Sequence, residues 1–231
     1  MTRHPLDRPI WSALATRQRA FAVGDDLARR FDPRVGPFAA IARDDDAHLI
    51  ALAALIGAHG SVVLLQRGEI PRPPGTRTLL EAVGVQLVLD RLAPVAASVD
   101  LVGLGAADAD EMLALAKLTE PGPFGPRTHE LGGFLGVKVD GRLVAMAGER
   151  MKPDGFVEVS GVCTHPDHRG HGYAAMLSTA VAERVLARGE TPFLHAFATN
   201  TAAIRLYERL GFRMRTEVGV VRLASERAGS A

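Results

Sequence analysis

Residues 169–174, Arg169-Gly170-His171-Gly172-Tyr173-Ala174, form an R-x-x-G-x-A sequence between an apolar β-type run and an amphipathic one. The first amides of a helix have no internal partner and point along its axis, and the helix dipole adds partial positive charge at the same end. Gly170 and Gly172 have no β-carbon, so a ligand can approach the backbone and positive φ angles cost little. Arg169 adds a fixed cation. The chemistry this points to is an anion cradle, suited to a phosphate or pyrophosphate. Glycines in a strand-to-helix turn can also serve the turn alone.

Three further groups could do chemistry. His165, His168 and His171 are three apart, a ligand-like spacing, but they share their turn with Pro166 and two glycines, and no second ligand cluster supports a metal. His168 or His171 could instead help to neutralise phosphate. Cys163 falls inside an apolar run, where a lone cysteine behaves as a small hydrophobe. Asp44, Asp45 and Asp46 precede an apolar helical run and read as a solvated acidic helix start rather than a cation site. No metal is expected.

These residues need elements to position them. Val157, Val159, Val162 and Cys163 suit a buried strand, which Pro166 and Asp167 stop. Leu177, Ala180, Val181 and Val185 lie at one-face helical spacing, and Gly189 closes that helix. Residues 191–198 are apolar on both faces, as in a buried parallel strand, so a βαβ crossover is expected. Residues 134–139 and 143–149 read as a hairpin about Asp140-Gly141. Asn200 or Thr201 caps a helix whose face is Ala203, Leu206, Tyr207 and Leu210; Gly211 ends it, and residues 212–223 form the last strand or strands. Upstream, residues 101–104 read as a strand, and Asp108 is expected to cap a helix over 109–118. Residues 119–130, with three prolines and two glycines, form a loop.

Two stretches, residues 162–174 (Val-Cys-Thr-His-Pro-Asp-His-Arg-Gly-His-Gly-Tyr-Ala) and residues 200–212 (Asn-Thr-Ala-Ala-Ile-Arg-Leu-Tyr-Glu-Arg-Leu-Gly-Phe), resemble the GCN5-related N-acetyltransferase (GNAT) family, in the subgroup with FR47-like C-terminal halves. The resemblance covers a little over half of the chain, from about Val99 to Leu223. It implies an α/β (α+β) fold: a mixed, mostly antiparallel sheet with a central parallel strand pair and flanking helices. It also implies acetyl-CoA as co-substrate and acetyl transfer to a primary amine.

The resemblance assigns roles. The backbone of Arg169, Gly170, His171, Gly172, Tyr173 and Ala174 would hold the pyrophosphate. The exposed edge of Val162, Cys163 and Thr164 would hold the pantetheine arm, with the Val162 amide as oxyanion donor. Tyr207 is the expected general acid, and Asn200 is expected on the pantetheine or as a simple helix cap. Glu158 is the first choice for the base, on the expectation that partial burial raises its pKa; Glu149 is the second. Phe124, Arg127 and Thr128 are candidate acceptor contacts.

Residues 1–97 contain neither motif. They read as an N-terminal α/β subdomain, either packing on the catalytic part or a degenerate copy of half a GNAT domain, with residues 98–231 as the acetyltransferase domain. Here a helix start capped by Asp7 is expected to run through Phe21, with a second helical segment over 25–31, a strand over 38–42, a helix over 47–56 and a strand over 61–65. Residues 83–89 could be strand or buried helix, and residues 225–231 a frayed tail. Net charge is +1, which gives no field for nucleic acid or an anionic membrane. The single cysteine permits no internal disulfide, the N-terminus lacks a signal-peptide core, and no apolar run spans a bilayer. A cytoplasmic enzyme is expected, a monomer or homodimer, with a small-molecule or peptide amine as acceptor. Two alternatives stay open. One is a non-catalytic acyl-CoA-binding or regulatory module. The other is a nucleotide site unrelated to CoA, against which the Walker lysine and G-x-G-x-x-G are both absent.

Overall fold

The computed structural model describes residues 4–95 and 99–226. They form two units, and the chain passes from the first to the second and back more than once.

The first unit holds the described parts of Met1–Val85, Met151–Asp154 and Thr216–Ala231. Helix α1 (Pro9–Ala15) leads to a three-stranded antiparallel sheet of β1 (Ala22–Gly24), β2 (Ala28–Phe31) and β3 (Ala39–Ile41). Helix α2 (Asp46–His59) follows, then β4 (Val62–Gln66) and the first part of β5 (Thr76–Leu89). Strand β4 pairs antiparallel with the far end of β11 (Phe212–Ser225), from Gly219↔Gln66 to Leu223↔Val62. Leu52, Ile56, Val62, Leu64, Val221 and Leu223 share the core of this unit. Asp45 caps α2 by accepting from the His48 amide at 3.2 Å, as an aspartate before an apolar run should. The buried Arg30 donates to the carbonyls of His59 and Gly60 at the other end of α2.

Three sequence expectations are corrected here. Helix α1 stops at Ala15, with only a 3₁₀ turn over Arg19–Phe21. Its cap position is Arg8 rather than Asp7, without a side-chain cap bond. The segment 25–31 is a turn and a strand, not a helix. Gly24 has φ +115°, and an added β-carbon there would stand 2.2 Å from the Ala28 oxygen. Asp25 then closes the turn by accepting from the amides of Leu27 and Ala28.

The second unit holds the described parts of Gln86–Arg150 and Gly155–Arg215. It contains β6 (Val102–Gly103), α3 (Ala109–Thr119), β7 (Leu135–Val139), β8 (Arg142–Glu149), β9 (Phe156–Thr164), α4 (Tyr173–Leu186), β10 (Thr191–Phe197) and α5 (Thr201–Arg209). The strand order within it is β11-β5-β10-β9-β8-β7-β6. Strands β6 to β9 are antiparallel neighbours, and β9 pairs with β10 in parallel. The mixed, mostly antiparallel sheet with a central parallel pair, β9 and β10, is the one expected. Asp140 and Gly141 both have positive φ, so the predicted hairpin turns on them. Helix α4 buries Leu177, Val181 and Val185 and packs on β8 and β9. Met112, Leu115 and Ala116 of α3 pack with Phe134, Met146 and Cys163.

Asp108 holds the N-cap position of α3, as expected, but its side chain makes no cap bond to that helix. Its carboxylate accepts from the Gly105 amide and pairs with Lys138, which together lower its pKa. Residues 83–89 are strand, part of β5, and 212–225 form one strand rather than two. Of the expected tail, Ser225 ends β11 and the Glu226 amide donates to Gly75; the rest lies outside the described residues, as does the expected domain boundary at 97/98. No helix among the described residues is long and apolar enough to cross a membrane.

Candidate active site

Strand β9 is irregular on one edge and parts from its neighbour on the other. Along β8 the register goes from Met146↔Cys163 to Gly148↔Ser160, so Ala147 alone opposes Gly161 and Val162. That is a β-bulge, and Gly161 takes φ +65° within it. On the other side, β10 pairs with β9 from Phe156↔Thr191 to Glu158↔Phe193, whereas β9 continues to Thr164. The sequence-predicted residues Val162, Cys163 and Thr164 lie on this outer stretch. The Cys163 side chain packs among the α3 residues, and burial pushes its thiol up to about 11. It therefore stays protonated at neutral pH and is no nucleophile.

The turn after β9 delivers the backbone of α4. A 3₁₀ turn over Pro166–His168 comes first; Gly170 and Gly172 then take φ +83° and +77°. Gly172 is the N-cap of the 14-residue α4, and no side chain caps that end. An added β-carbon at Gly170 or Gly172 would meet nothing within 4 Å, so both face open space. The His171 Nδ1 lies 3.1 Å from the His168 carbonyl oxygen and 3.0 Å from that of Arg169. Carbonyls only accept, so Nδ1 carries a proton and donates to them. The His171 ring stacks on Tyr173. His165 accepts from the Asp167 amide, and no group of three metal-ligating side chains occurs among the described residues. The chemistry of the turn, uncapped helix amides beside two glycines and the exposed Arg169, fits the pyrophosphate of a CoA thioester.

Beside the bulge lies a small pocket whose walls include Phe124, Thr128, Phe134, Arg150, Ser160 and Gly161. Phe124 and Phe134 meet edge to face at 5.7 Å. No carboxylate or imidazole is among its lining residues. Of the expected acceptor contacts, Phe124 and Thr128 line it; Arg127 instead forks onto Glu130.

Glu158 is fully buried. Arg150 donates to both of its oxygens, at 2.8 Å from Nε and 2.7 Å from Nη2, and His195 Nδ1 stands 2.7 Å from Oε1. Burial alone would raise the Glu158 pKa; the Arg150 charge, its hydrogen bonds and that of His195 outweigh it and hold the pKa at about 2. The expected raised pKa is thus corrected: the carboxylate is shielded from water but not from cations. Glu149 is also buried, accepts from Arg188 Nη2 at 2.8 Å and does not line the pocket.

The network continues beyond His195. Arg215 Nη1 donates to Gln86 Oε1 at 2.9 Å, which turns the Gln86 amide nitrogen toward His195 Nε2 at 3.0 Å. Arginine can only donate, so the orientation of the Gln86 amide follows from it. His195 Nε2 is therefore an acceptor, and the ring proton sits on Nδ1, donating to Glu158. Arg215, Gln86, His195 and Glu158 come from β11, β5, β10 and β9, neighbours in that order, and Arg150 follows β8 directly. Arg150, His195, Gln86 and Arg215 were not singled out from sequence. The available signal was polarity within apolar strand runs, at Gln86 and His195.

Tyr207 lies on the buried face of α5, edge to face with Phe212. Burial pushes its pKa up to about 12, while the Arg150 charge pulls the other way. Asn200 caps α5, its Oδ1 accepting from the Ala203 amide at 3.2 Å.

The FR47-like protein family model matches residues 134–221. A protein from Novosphingobium aromaticivorans DSM 12444, assigned to the GNAT family of acetyltransferases, has a solved structure that matches with TM-score 0.88 and 45% identity, over 96% of this chain and 99% of that one. A GCN5-related N-acetyltransferase from Kribbella flavida matches at TM-score 0.59 and 22% identity, over 94% and 95% of the two chains. A GNAT-family acetyltransferase from Colwellia psychrerythraea matches at 0.53 and 11%, over 92% and 96%. The last two show a shared fold. No protein of curated function matches the chain. The bulged β9, the glycine turn onto α4 and the 45% identity over nearly all of both chains agree, and the protein belongs to the GNAT family of acetyltransferases.

Proposed function

We propose that the protein transfers an acetyl group from acetyl-CoA directly to a primary amine. The carrying observation is continuous in the chain: a bulged strand that parts from its parallel neighbour and runs into an uncapped helix N-terminus through two positive-φ glycines. In this reading the backbone of residues 169–174 binds the pyrophosphate, and the edge of Val162, Cys163 and Thr164 binds the pantetheine amides. The Val162 amide donates to the thioester oxygen as it gains charge. The neutral acceptor amine attacks the carbonyl carbon, the C–S bond breaks, and Tyr207 gives its proton to the departing sulfur. Burial raises its pKa and keeps it protonated at neutral pH; the same rise makes it a weaker acid, so its proton moves only once charge has built up on the sulfur. The amine's proton passes to water. Glu158, with its pKa at about 2, acts by holding Arg150 rather than by taking a proton. Asn200 serves as the α5 cap, and Glu149 as the partner of Arg188.

Residues 98–231 carry this chemistry in the proposed division. The subdomain of residues 1–97 is then either a support or a degenerate half-domain. A cytoplasmic setting, with no metal, belongs to the same proposal. Calorimetry with acetyl-CoA and free CoA tests it, with Gly172→Trp as control. Binding that is lost in the variant, followed by acceptor-dependent thiol release, is the expected result; wild-type protein that binds neither ligand defeats the reading. A non-catalytic acyl-CoA-binding module is the second reading, favoured by the lack of a carboxylate or imidazole in the pocket. Donor binding without thiol release on any amine would support it.

A further inference from the structure

We propose that the side chain of His171 is the positioning residue of the donor site: its Nδ1–H holds the peptide group between Arg169 and Gly170 in the orientation that presents the Gly170 amide to the donor's diphosphate. The inference rests on the CoA-binding reading above for the ligand, and on the turn's own hydrogen bonds for the role of the imidazole.

The turn carries open amides. Those of Gly170, Gly172, Tyr173 and Ala174 donate to no group among the described residues. The two before them are used, His168 N to His165 O at 2.9 Å and Arg169 N to Pro166 O at 3.3 Å. An anion can collect the open amides only where each points outward. Helix α4 fixes those of Tyr173 and Ala174. Gly170 has no such restraint. Arg169 is extended, at φ −72° and ψ 163°, and Gly170 follows at φ +83°, close to the pair of a type II turn. Turning over the single peptide group between them gives the type I pair, with Arg169 helical and Gly170 at negative φ. Both states are open to an arginine followed by a glycine, and a β-carbon added at Gly170 would meet nothing within 4 Å. In the turned state a carbonyl oxygen takes the side on which the Gly170 N–H had stood, and repels a phosphate.

His171 holds one of the two states. Its Nδ1 lies 3.0 Å from the Arg169 carbonyl oxygen and 3.1 Å from that of His168, and its proton is shared between them. A peptide group is planar and trans, so a carbonyl drawn toward the imidazole sends the N–H of Gly170 the opposite way. The ring is itself seated. It stacks on the buried Tyr173, the first residue of α4, with centroids 5.4 Å apart and 20° between the planes. The imidazole thereby joins the loose peptide to the helix whose amides complete the cradle. Nδ1 is a donor in this neutral form and in the imidazolium alike, so the hold does not depend on charge.

Calorimetric titration of the full chain with CoA and with 3′-dephospho-CoA decides the matter, on the wild type and three variants of this exposed side chain. His171→Asn keeps a donor nitrogen at the same remove from Cβ as Nδ1, without ring or charge. His171→Phe keeps the ring and its stack but no donor, and His171→Lys keeps only a cation. Loss of an amide from a phosphate oxygen should weaken both ligands about tenfold or more in the Phe and Lys variants. The Asn variant should stay within about threefold of the wild type. Wild-type affinity in His171→Phe would reduce the ring to packing. Wild-type affinity in His171→Lys, with a loss in His171→Asn, would make it a counter-charge. Either result overturns the proposal, as does a loss confined to CoA, which moves the effect to the 3′-phosphate. A ¹⁵N spectrum of the free wild type in mildly alkaline buffer needs no variant: His171 should be an Nδ1–H imidazole, and an Nε2–H ring overturns the assignment. Wild-type CoA binding that His171→Phe leaves intact defeats only the role of His171; wild-type protein that binds neither ligand defeats the donor reading and the proposal with it.

Discussion

Arg150 grips Glu158 through two parallel hydrogen bonds, Nε to Oε2 at 2.8 Å and Nη2 to Oε1 at 2.7 Å, in a site from which Glu158 is wholly excluded from solvent. The folded-state pKa of Glu158, about 2, lies below its ordinary 4.5. Its stabilisation is therefore fully present above about pH 4.5 and is lost as pH falls through about 2. Urea unfolding from pH 6 to 2 should show a steep loss of stability in that window. Glu158→Gln should flatten the loss. It should also lower neutral-pH stability by about 3–5 kcal/mol, because it strands the Arg150 charge. An unchanged acid limb in the variant would remove the ion pair as its source.

The same low pKa bears on the rate. Neither Glu158 nor any residue lining the pocket offers a proton acceptor that titrates near neutrality. The acceptor must then react in its unprotonated form, and kcat/KM should rise with slope one up to the acceptor's own amine pKa. Two acceptors with different amine pKa values should shift this limb by the difference between them. A limb fixed at one pH for both would reveal an enzyme base and restore a carboxylate or imidazole to that role.

Tyr207 should act at the leaving sulfur. Tyr207→Phe removes one hydroxyl from a side chain packed on Phe212 and should leave donor binding unchanged. The expected fall in kcat is about 10²-fold or more. It should shrink with acyl donors whose thiol is more acidic, since these need less help to depart. With its pKa raised to about 12, the wild type should show no loss of activity from Tyr207 ionisation in the ordinary alkaline range. Equal losses with every leaving thiol would reduce Tyr207 to a packing residue.

What the sequence could disclose follows from the range of each interaction. The glycine turn and the α4 face are local patterns, and so were readable from Gly170, Gly172, Leu177, Val181 and Val185. The Asp140-Gly141 hairpin was readable for the same reason. The β9 bulge was not, because it exists only in the register between Ala147 and the pair Gly161–Val162. Glu158 could be placed on its strand, yet its charge environment comes from Arg150, just past the end of β8, and His195 on β10. Segment 25–31 misled because its apolar spacing tolerates a helix, while Gly24 and Asp25 build a turn that only close approach to Ala28 makes visible.

Gln86 provides the sharpest test of the inner network. It is wholly buried between Arg215 and His195, and its amide passes the direction of donation from one to the other. Gln86→Leu leaves both neighbours without that partner and frees the His195 ring to hold its proton on either nitrogen. Stability at neutral pH should fall by about 1–3 kcal/mol, because a buried hydrogen-bond partner is lost. Gln86→Glu behaves differently: a carboxylate accepts from both sides, so His195 can donate from both nitrogens and become an imidazolium. Stability should then return toward the wild-type value. The ¹⁵N signals of the ring should change from those of an Nδ1–H imidazole to those of an imidazolium. A residue that only fills space would give equal losses of stability in the two variants and no change of tautomer. That pattern would remove Gln86 from the chain of hydrogen bonds.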